Sequence, residues 1–141
     1  MRPGFLAFVA GLSLAGAAFA AGVTVKEAMK TVVEPAANIV FAVGGDVDPA
    51  NGPDAGKVAD ARWQEALKAA QALKTVAADL TGPQQKAGAE WAAAAGDFAK
   101  LAADAETAAS KKDGAAFSTA ANALGDVCTA CHAKYKPQTG D

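Results

Sequence analysis

The chain has 141 residues, the usual size of one domain, and a formal net charge of −2 at pH 7. This weak charge, and the lack of any basic block with interleaved aromatic residues, argue against a nucleic-acid partner or an anionic membrane surface. Alanine dominates the composition and aromatic residues make up only 6% of it. Because alanine loses no side-chain entropy in a helix, the composition predicts an all-α protein.

The first 20 residues have the pattern of a secretory signal peptide. Arg2 gives a positive start, residues 5–19 are almost wholly apolar, and Ala18-Phe19-Ala20 puts small residues at a cleavage site. The run is too short and too rich in alanine and glycine for a membrane span, and no stop-transfer charges follow, so an uncleaved anchor is the weaker alternative. We expect residues 1–20 to be removed and residues 21–141 to form one exported, periplasmic domain. Losing Arg2 takes its net charge from −2 to −3.

The first predicted helix begins at Thr24, where Glu27 three residues later has the spacing of a capping box, and it runs to about Val43. Pro35 lies inside this helix and predicts a kink, because proline removes one backbone hydrogen bond and crowds the preceding turn. Residues 44–56 are rich in Gly, Pro, Asp and Asn and predict a loop. The stripe expected to face inward consists of Val25, Met29, Val32, Ala36, Ile39 and Val43.

Three further helices are predicted at about residues 57–80, about residues 84–110, and from an N-cap at Asp113 to a stop at Pro137. Four amphipathic helices with mostly short links indicate an antiparallel four-helix bundle. Trp63 and Trp91 are expected in its core or in the walls of a cofactor pocket. The inward stripes are Trp63, Leu67, Ala70, Leu73, Ala77 and Leu80, then Trp91, Ala95, Phe98, Leu101, Ala105 and Ala109, then Phe117, Ala121, Leu124, Cys128 and Cys131.

The segment Cys128-Thr129-Ala130-Cys131-His132 has the pattern of c-type haem attachment. Each thiol adds to one haem vinyl group, so the two sulfurs must lie along one porphyrin edge, and residues three apart on a helix lie side by side. His132 is four residues past Cys128 and projects near the same face, where its neutral imidazole can reach the iron. The motif predicts one covalently bound haem c, with His132 as an iron ligand.

Three other interpretations of these residues are weaker. A dithiol redox pair normally sits at the start of a helix, whereas these cysteines fall near a helix C-terminus, which disfavours the thiolate. A structural zinc site needs four ligands, and the chain holds no Cys or His beyond these two cysteines and one histidine. A structural disulfide suits an exported protein, but it would leave the position of His132 as a coincidence.

The helix-four ending from Cys128 to Tyr135, at the C-terminus of a four-helix chain, resembles the class II cytochromes c, the cytochrome c′ group. Class I cytochromes c carry the motif near the N-terminus instead. The resemblance spans about residues 23–136 and implies that the bundle encloses the haem, with the first helix against the face opposite His132. Two positions depart from the family pattern: Lys136 stands where arginine is common, and Lys26-Glu27 replaces an Arg-Gln pair.

The residue opposite His132 decides the function. Met29 is the only methionine after the signal segment, and its position is similar to the distal position of the family. A thioether sulfur there would coordinate the iron, although a flexible methionine is also a common core filler. The resemblance and the motif together predict a non-enzymatic, one-electron carrier with redox partner proteins in the periplasm. An open distal site that binds nitric oxide or carbon monoxide is the alternative, and a homodimer is possible as it is in many relatives.

Overall fold

The computed structural model describes residues 24–55, 57–81 and 88–136, and within these residues every regular element is helical. Helix α1 is continuous and consists of an α-helical segment Val25–Ala28, a π-helical segment Met29–Val33 and an α-helical segment Glu34–Asp46. Helices α2, α3 and α4 are Asp60–Thr81, Ala89–Lys111 and Gly114–Tyr135, and a short 3-10 helix, Pro49–Asn51, lies between α1 and α2. The all-helical prediction is confirmed for these residues.

Among the described residues, no helix combines the length and the apolar character that a membrane crossing requires. The signal-peptide prediction falls on residues 1–20, which lie outside the described residues. The helix start predicted at 57 is wrong by three residues, because residues 57–59 are not helical and the helix begins at Asp60. The start predicted at 84 and the stop at Pro137 fall outside the described residues, and the third helix is described from Ala89.

Two helix starts have the side-chain caps that the sequence predicts. The Thr24 hydroxyl accepts a hydrogen bond from the Glu27 backbone N–H at 3.2 Å, and the Asp113 carboxylate accepts one from the Ala116 N–H at 3.0 Å. Each acceptor satisfies a backbone donor that has no partner within its own helix. With the Asp113 cap only two residues separate the end of α3 at Lys111 from the start of α4 at Gly114, so these two helices fold back on each other.

The interruption expected at Pro35 takes the form of a wider helical turn placed before the proline. The Glu34 N–H donates to the Met29 carbonyl, five residues back, where an α-helix would use the residue four back. Proline has no N–H and its ring crowds the carbonyl four residues earlier, so the wider turn accommodates Pro35 without ending the helix.

This turn shifts the buried face of α1 away from the predicted stripe. Ala28 and Val33 are both buried although they are five residues apart, while Met29 and Val32 are only half-buried. Beyond the turn the predicted Ile39 is also half-buried, because the burial there follows Ala36, Val40 and Val43. On the other helices the predicted Leu67 and Leu101 are half-buried, and the remaining inward positions from Trp63 to Leu124 are buried.

Contacts between helix ends show how the four helices pack. Arg62 at the start of α2 pairs with Asp46 at the end of α1 (3.1 Å), and Lys112 at the end of α3 pairs with Asp60 (2.6 Å). Each contact joins the end of one helix to the start of another, so α1 and α2, and likewise α2 and α3, run in opposite directions. Helix α4 packs on both α3 and α1 and closes the group of four.

The predicted loop at residues 44–56 begins later than expected, because Gly44 and Gly45 belong to helix α1. A Cβ atom on Gly44 would lie 2.6 Å from the Ala121 Cβ, so glycine is needed there for α1 and α4 to approach closely. The same small-residue packing recurs throughout the core. Alanine supplies 14 of the 26 buried apolar residues, and short side chains bring helices close while burying little apolar area per residue.

Candidate functional site

The last two turns of α4 carry the motif from Cys128 to His132. Cys128 and Cys131 are half-buried free thiols three residues apart in a regular α-helix, so their side chains lie on one face. His132 is exposed, one position further round the same helix. The helix continues through the motif to Tyr135, and it thus presents the two thiols and the imidazole as one rigid unit.

An apolar groove runs beside the motif. It holds about 450 Å³ of space between atoms, counting the part that is open to solvent. The lining comes from all four helices and consists of Met29, Val33, Leu80, Trp91, Ala94, Ala95, Phe98, Val127, Cys128, Cys131 and His132. Apart from the motif residues and the indole nitrogen of Trp91, no polar side-chain group lines it.

All four residues that the sequence analysis assigned to the site line this groove. Cys128, Cys131 and His132 come from α4, and Met29 comes from the π-helical segment of α1. Met29 and His132 are 103 residues apart in the sequence (132 − 29). Only the packing of α1 against the bundle brings them to one cavity.

Trp91 forms part of the groove wall and is held in place by two contacts. Its indole N–H donates to the Leu80 carbonyl at 2.9 Å, in a buried hydrogen bond that ties the start of α3 to the end of α2. The Trp91 ring meets Tyr135 edge to face, with 5.1 Å between the ring centroids. Lys134 forms an ion pair with Glu90 beside this contact. The C-terminal turn of α4 is thereby attached to α3 on the side of the groove.

Two kinds of lining residue were missed from the sequence. Val33 was not on the predicted stripe of α1, since that stripe assumed α-helical spacing throughout. Leu80 and Val127 gave no signal as site residues, although Leu80 was expected to face inward, because an apolar residue near a groove has the same pattern as one in the core. Val127 lies directly before Cys128, and this position is the only feature of the sequence that connects Val127 with the site.

Both thiols have a pKa above that of an ordinary cysteine. Burial raises the pKa of Cys128, and the neighbouring Cys131 raises it further by charge repulsion between thiolates. Burial alone raises the pKa of Cys131. Both groups are therefore protonated thiols at neutral pH, which is the reverse of what a dithiol redox catalyst needs.

No protein-family model, no curated protein and no solved structure matches this chain. The function of the chain is therefore inferred from the residues of the groove and from their geometry.

The donor set of the groove fits a c-type haem. Two thiols three residues apart can each form a thioether with one porphyrin side group, and an imidazole follows directly on the same helix. A thioether sulfur lies on a different helix that lines the same groove. The rest of the lining is aromatic and aliphatic, as the largely apolar face of a porphyrin requires. Within the described residues, no three His, Cys, Asp or Glu side chains cluster closely enough to hold a bare metal ion.

Proposed function

We propose that this protein is an exported c-type cytochrome that carries one electron on one covalently bound haem. The observation that carries the proposal is the placement of Cys128, Cys131 and His132 within two turns of one helix, on the wall of an apolar groove. In this proposal the antiparallel helices enclose the haem as they do in the class II cytochromes c. The protein acts in the periplasm, and its partners are other redox proteins.

The residues of α4 would hold the haem. The Cys128 and Cys131 thiols would each add across one porphyrin vinyl group, with the sulfur bonding one carbon and the hydrogen the other, and the two thioethers would tie the porphyrin edge to the helix. His132 supplies a neutral imidazole nitrogen to the iron from the same helix, so attachment and ligation share one rigid support. The haem iron supplies the redox chemistry by gaining and losing one electron.

The groove walls set the surroundings of the iron. Phe98, Leu80 and Val33 offer only hydrocarbon, so they exclude water and leave little to stabilise extra charge. An apolar wall of this kind would favour the ferrous haem, which carries less charge than the ferric haem, and would raise the reduction potential of the haem. Trp91 fills the wall with a ring whose N–H is already bonded to the Leu80 carbonyl, and that hydrogen bond holds its orientation.

Met29 is proposed as the second iron ligand, opposite His132. It lines the same groove from α1 and is half-buried, so its side chain borders the space that the haem would occupy. Ligation by both His132 and Met29 would keep small ligands away from the metal and would suit electron transfer. The competing function is gas binding at an open distal site, which the otherwise apolar lining favours if Met29 only packs.

Visible spectra of the oxidised and reduced protein, with carbon monoxide added to the reduced form, test this proposal. We expect a low-spin spectrum that carbon monoxide leaves unchanged, and rapid carbon monoxide binding once Met29→Ala removes the sulfur. Val33→Ala is the matched control, because it shortens an apolar side chain of the same helix and groove without removing a ligand. Rapid carbon monoxide binding by the unsubstituted protein would support the gas-binding function instead.

A further inference from the structure

The π-helical turn Met29–Val33 begins at the residue proposed as the second iron ligand. Helix α1 is α-helical before and after this turn, so the wider turn is a local feature of five residues. A π-turn within an α-helix rotates everything before it relative to everything after it by about 100°, the angle of one residue. The direction in which Met29 points is therefore set by whether this turn is π or α.

Pro35 accounts for the location of the turn. In an α-helix residue 35 would donate its N–H to the Thr31 carbonyl, but proline has no N–H and its ring collides with that carbonyl. The Glu34 N–H instead reaches the Met29 carbonyl, five residues back. The Thr31 hydroxyl donates to the Glu27 carbonyl at 2.8 Å, which gives this carbonyl a side-chain donor at the start of the wider turn.

Burial in α1 agrees with a rotation at this point. The residues buried before and at the end of the turn, Ala28 and Val33, are five apart, and Met29 is left at the edge of the buried face, where the groove begins. With α-helical spacing Met29 would lie along the same stripe as Ala36 and Val43, in line with the buried core.

We propose that Pro35 is a positioning residue which, by maintaining the π-turn, directs the Met29 sulfur into the groove towards the iron. Pro35 is exposed and does not line the groove, so it acts only through the backbone. This inference rests on the proposed function, since it concerns the second ligand of that site. Ligation would then have two requirements. A methionine must be present at position 29, and the π-turn must rotate the start of α1 so that this methionine faces the groove.

Pro35→Ala tests the inference, because alanine restores the N–H and permits a continuous α-helix. We expect the haem-loaded variant to keep its covalent haem and to become reactive to carbon monoxide, with the reactive fraction rising about tenfold or more. Backbone NMR should show the Glu34 N–H bonded to Lys30 instead of Met29. Pro49→Ala is the matched control, since Pro49 is also exposed, opens a short helix, and lies outside the groove lining.

A double variant shows whether Pro35 acts through Met29. Adding Met29→Ala to Pro35→Ala should change carbon monoxide binding no further than Met29→Ala alone. If Pro35→Ala stays unreactive, or keeps the bond from Glu34 to Met29, this inference is overturned and the proposed function stands. Rapid carbon monoxide binding by the unsubstituted protein overturns methionine ligation and this inference together.

Discussion

Trp91 at the start of α3 and Tyr135 at the end of α4 meet edge to face, with ring centroids 5.1 Å apart and planes at 78°. This contact attaches the turn that carries Cys131 and His132 to the neighbouring helix. A helix end frays readily when nothing holds it, so the aromatic pair maintains the position of the attachment motif.

Tyr135→Ala should therefore destabilise the C-terminal turn of α4. We expect a loss of about 1–2 kcal/mol in the free energy of unfolding, as edge-to-face pairs contribute beyond the area they bury. Tyr135→Phe keeps the ring and should behave like the unsubstituted protein. Urea denaturation of the haem-loaded protein measures both variants, and equal losses for Ala and Phe would contradict a role for the ring contact.

Trp91→Phe should cost stability through a lost hydrogen bond. The Leu80 carbonyl lies in the last turn of α2, where it has no partner within its helix, and the Trp91 indole N–H satisfies it in a buried position. Without a donor for the Leu80 carbonyl, the free energy of unfolding should fall by about 1–3 kcal/mol. Trp63→Phe is the control, because Trp63 is also buried and its indole N–H makes no hydrogen bond within the described residues. Thermal unfolding of both variants should show the larger drop for Trp91→Phe.

Gly44→Ala should push α1 away from α4. Its added Cβ would lie 2.6 Å from the Ala121 Cβ, so we expect a loss of about 1–3 kcal/mol. Gly45→Ala is next to it in the same helix and meets no atom within 4 Å, so it should be neutral or stabilising. Combining Gly44→Ala with Ala121→Gly should recover part of the loss. Equal effects of the two single alanine variants in urea denaturation would rule out the close approach.

The ion pair between Lys74 and Glu106 (2.7 Å) should make stability depend on pH at the acid side. The hydrogen bond that Lys74 donates to the Glu106 carboxylate lowers the pKa of Glu106 below that of an ordinary glutamate. A carboxylate whose pKa is lowered in the folded state increases the free energy of unfolding at pH values above its unfolded-state pKa, about 4.3. This increase is lost as the pH falls through the lowered pKa of the folded state. The contribution should stay below about 1 kcal/mol because the pair is partly exposed.

Glu106→Gln should remove this dependence. Denaturation at pH 7 and at pH 3 should give a smaller difference for Glu106→Gln than for the unsubstituted protein. Asp97→Asn, a carboxylate on the same helix with no ion pair within the described residues, serves as the control and should leave the difference unchanged. A full-sized pH dependence in Glu106→Gln would show that the pair contributes nothing.

The sequence predicted the helices and the Thr24 and Asp113 caps, because each depends on local propensity or on a period of 3.6 residues. The place of Met29 beside the motif was implied by the resemblance to the class II cytochromes c, since helical spacing alone does not distinguish a ligand from a core methionine. It did not predict the π-turn, since a proline inside a helix can produce a kink, a break or a wider turn, and only the packing of Ala28 and Val33 selects among them. Gly44 was assigned to a loop because glycine is typical of loops. The helix requires glycine at this position because Ala121, 77 residues later in the sequence (121 − 44), leaves no room for a Cβ atom.

The proposed function requires a haem bound through two thioethers at Cys128 and Cys131. Intact-mass spectrometry, under denaturing conditions, of protein matured in a haem-loading host detects such a haem. We expect the polypeptide mass plus one haem, and no added haem when both cysteines are replaced by alanine. A polypeptide mass without any added tetrapyrrole in the unsubstituted protein would contradict the account.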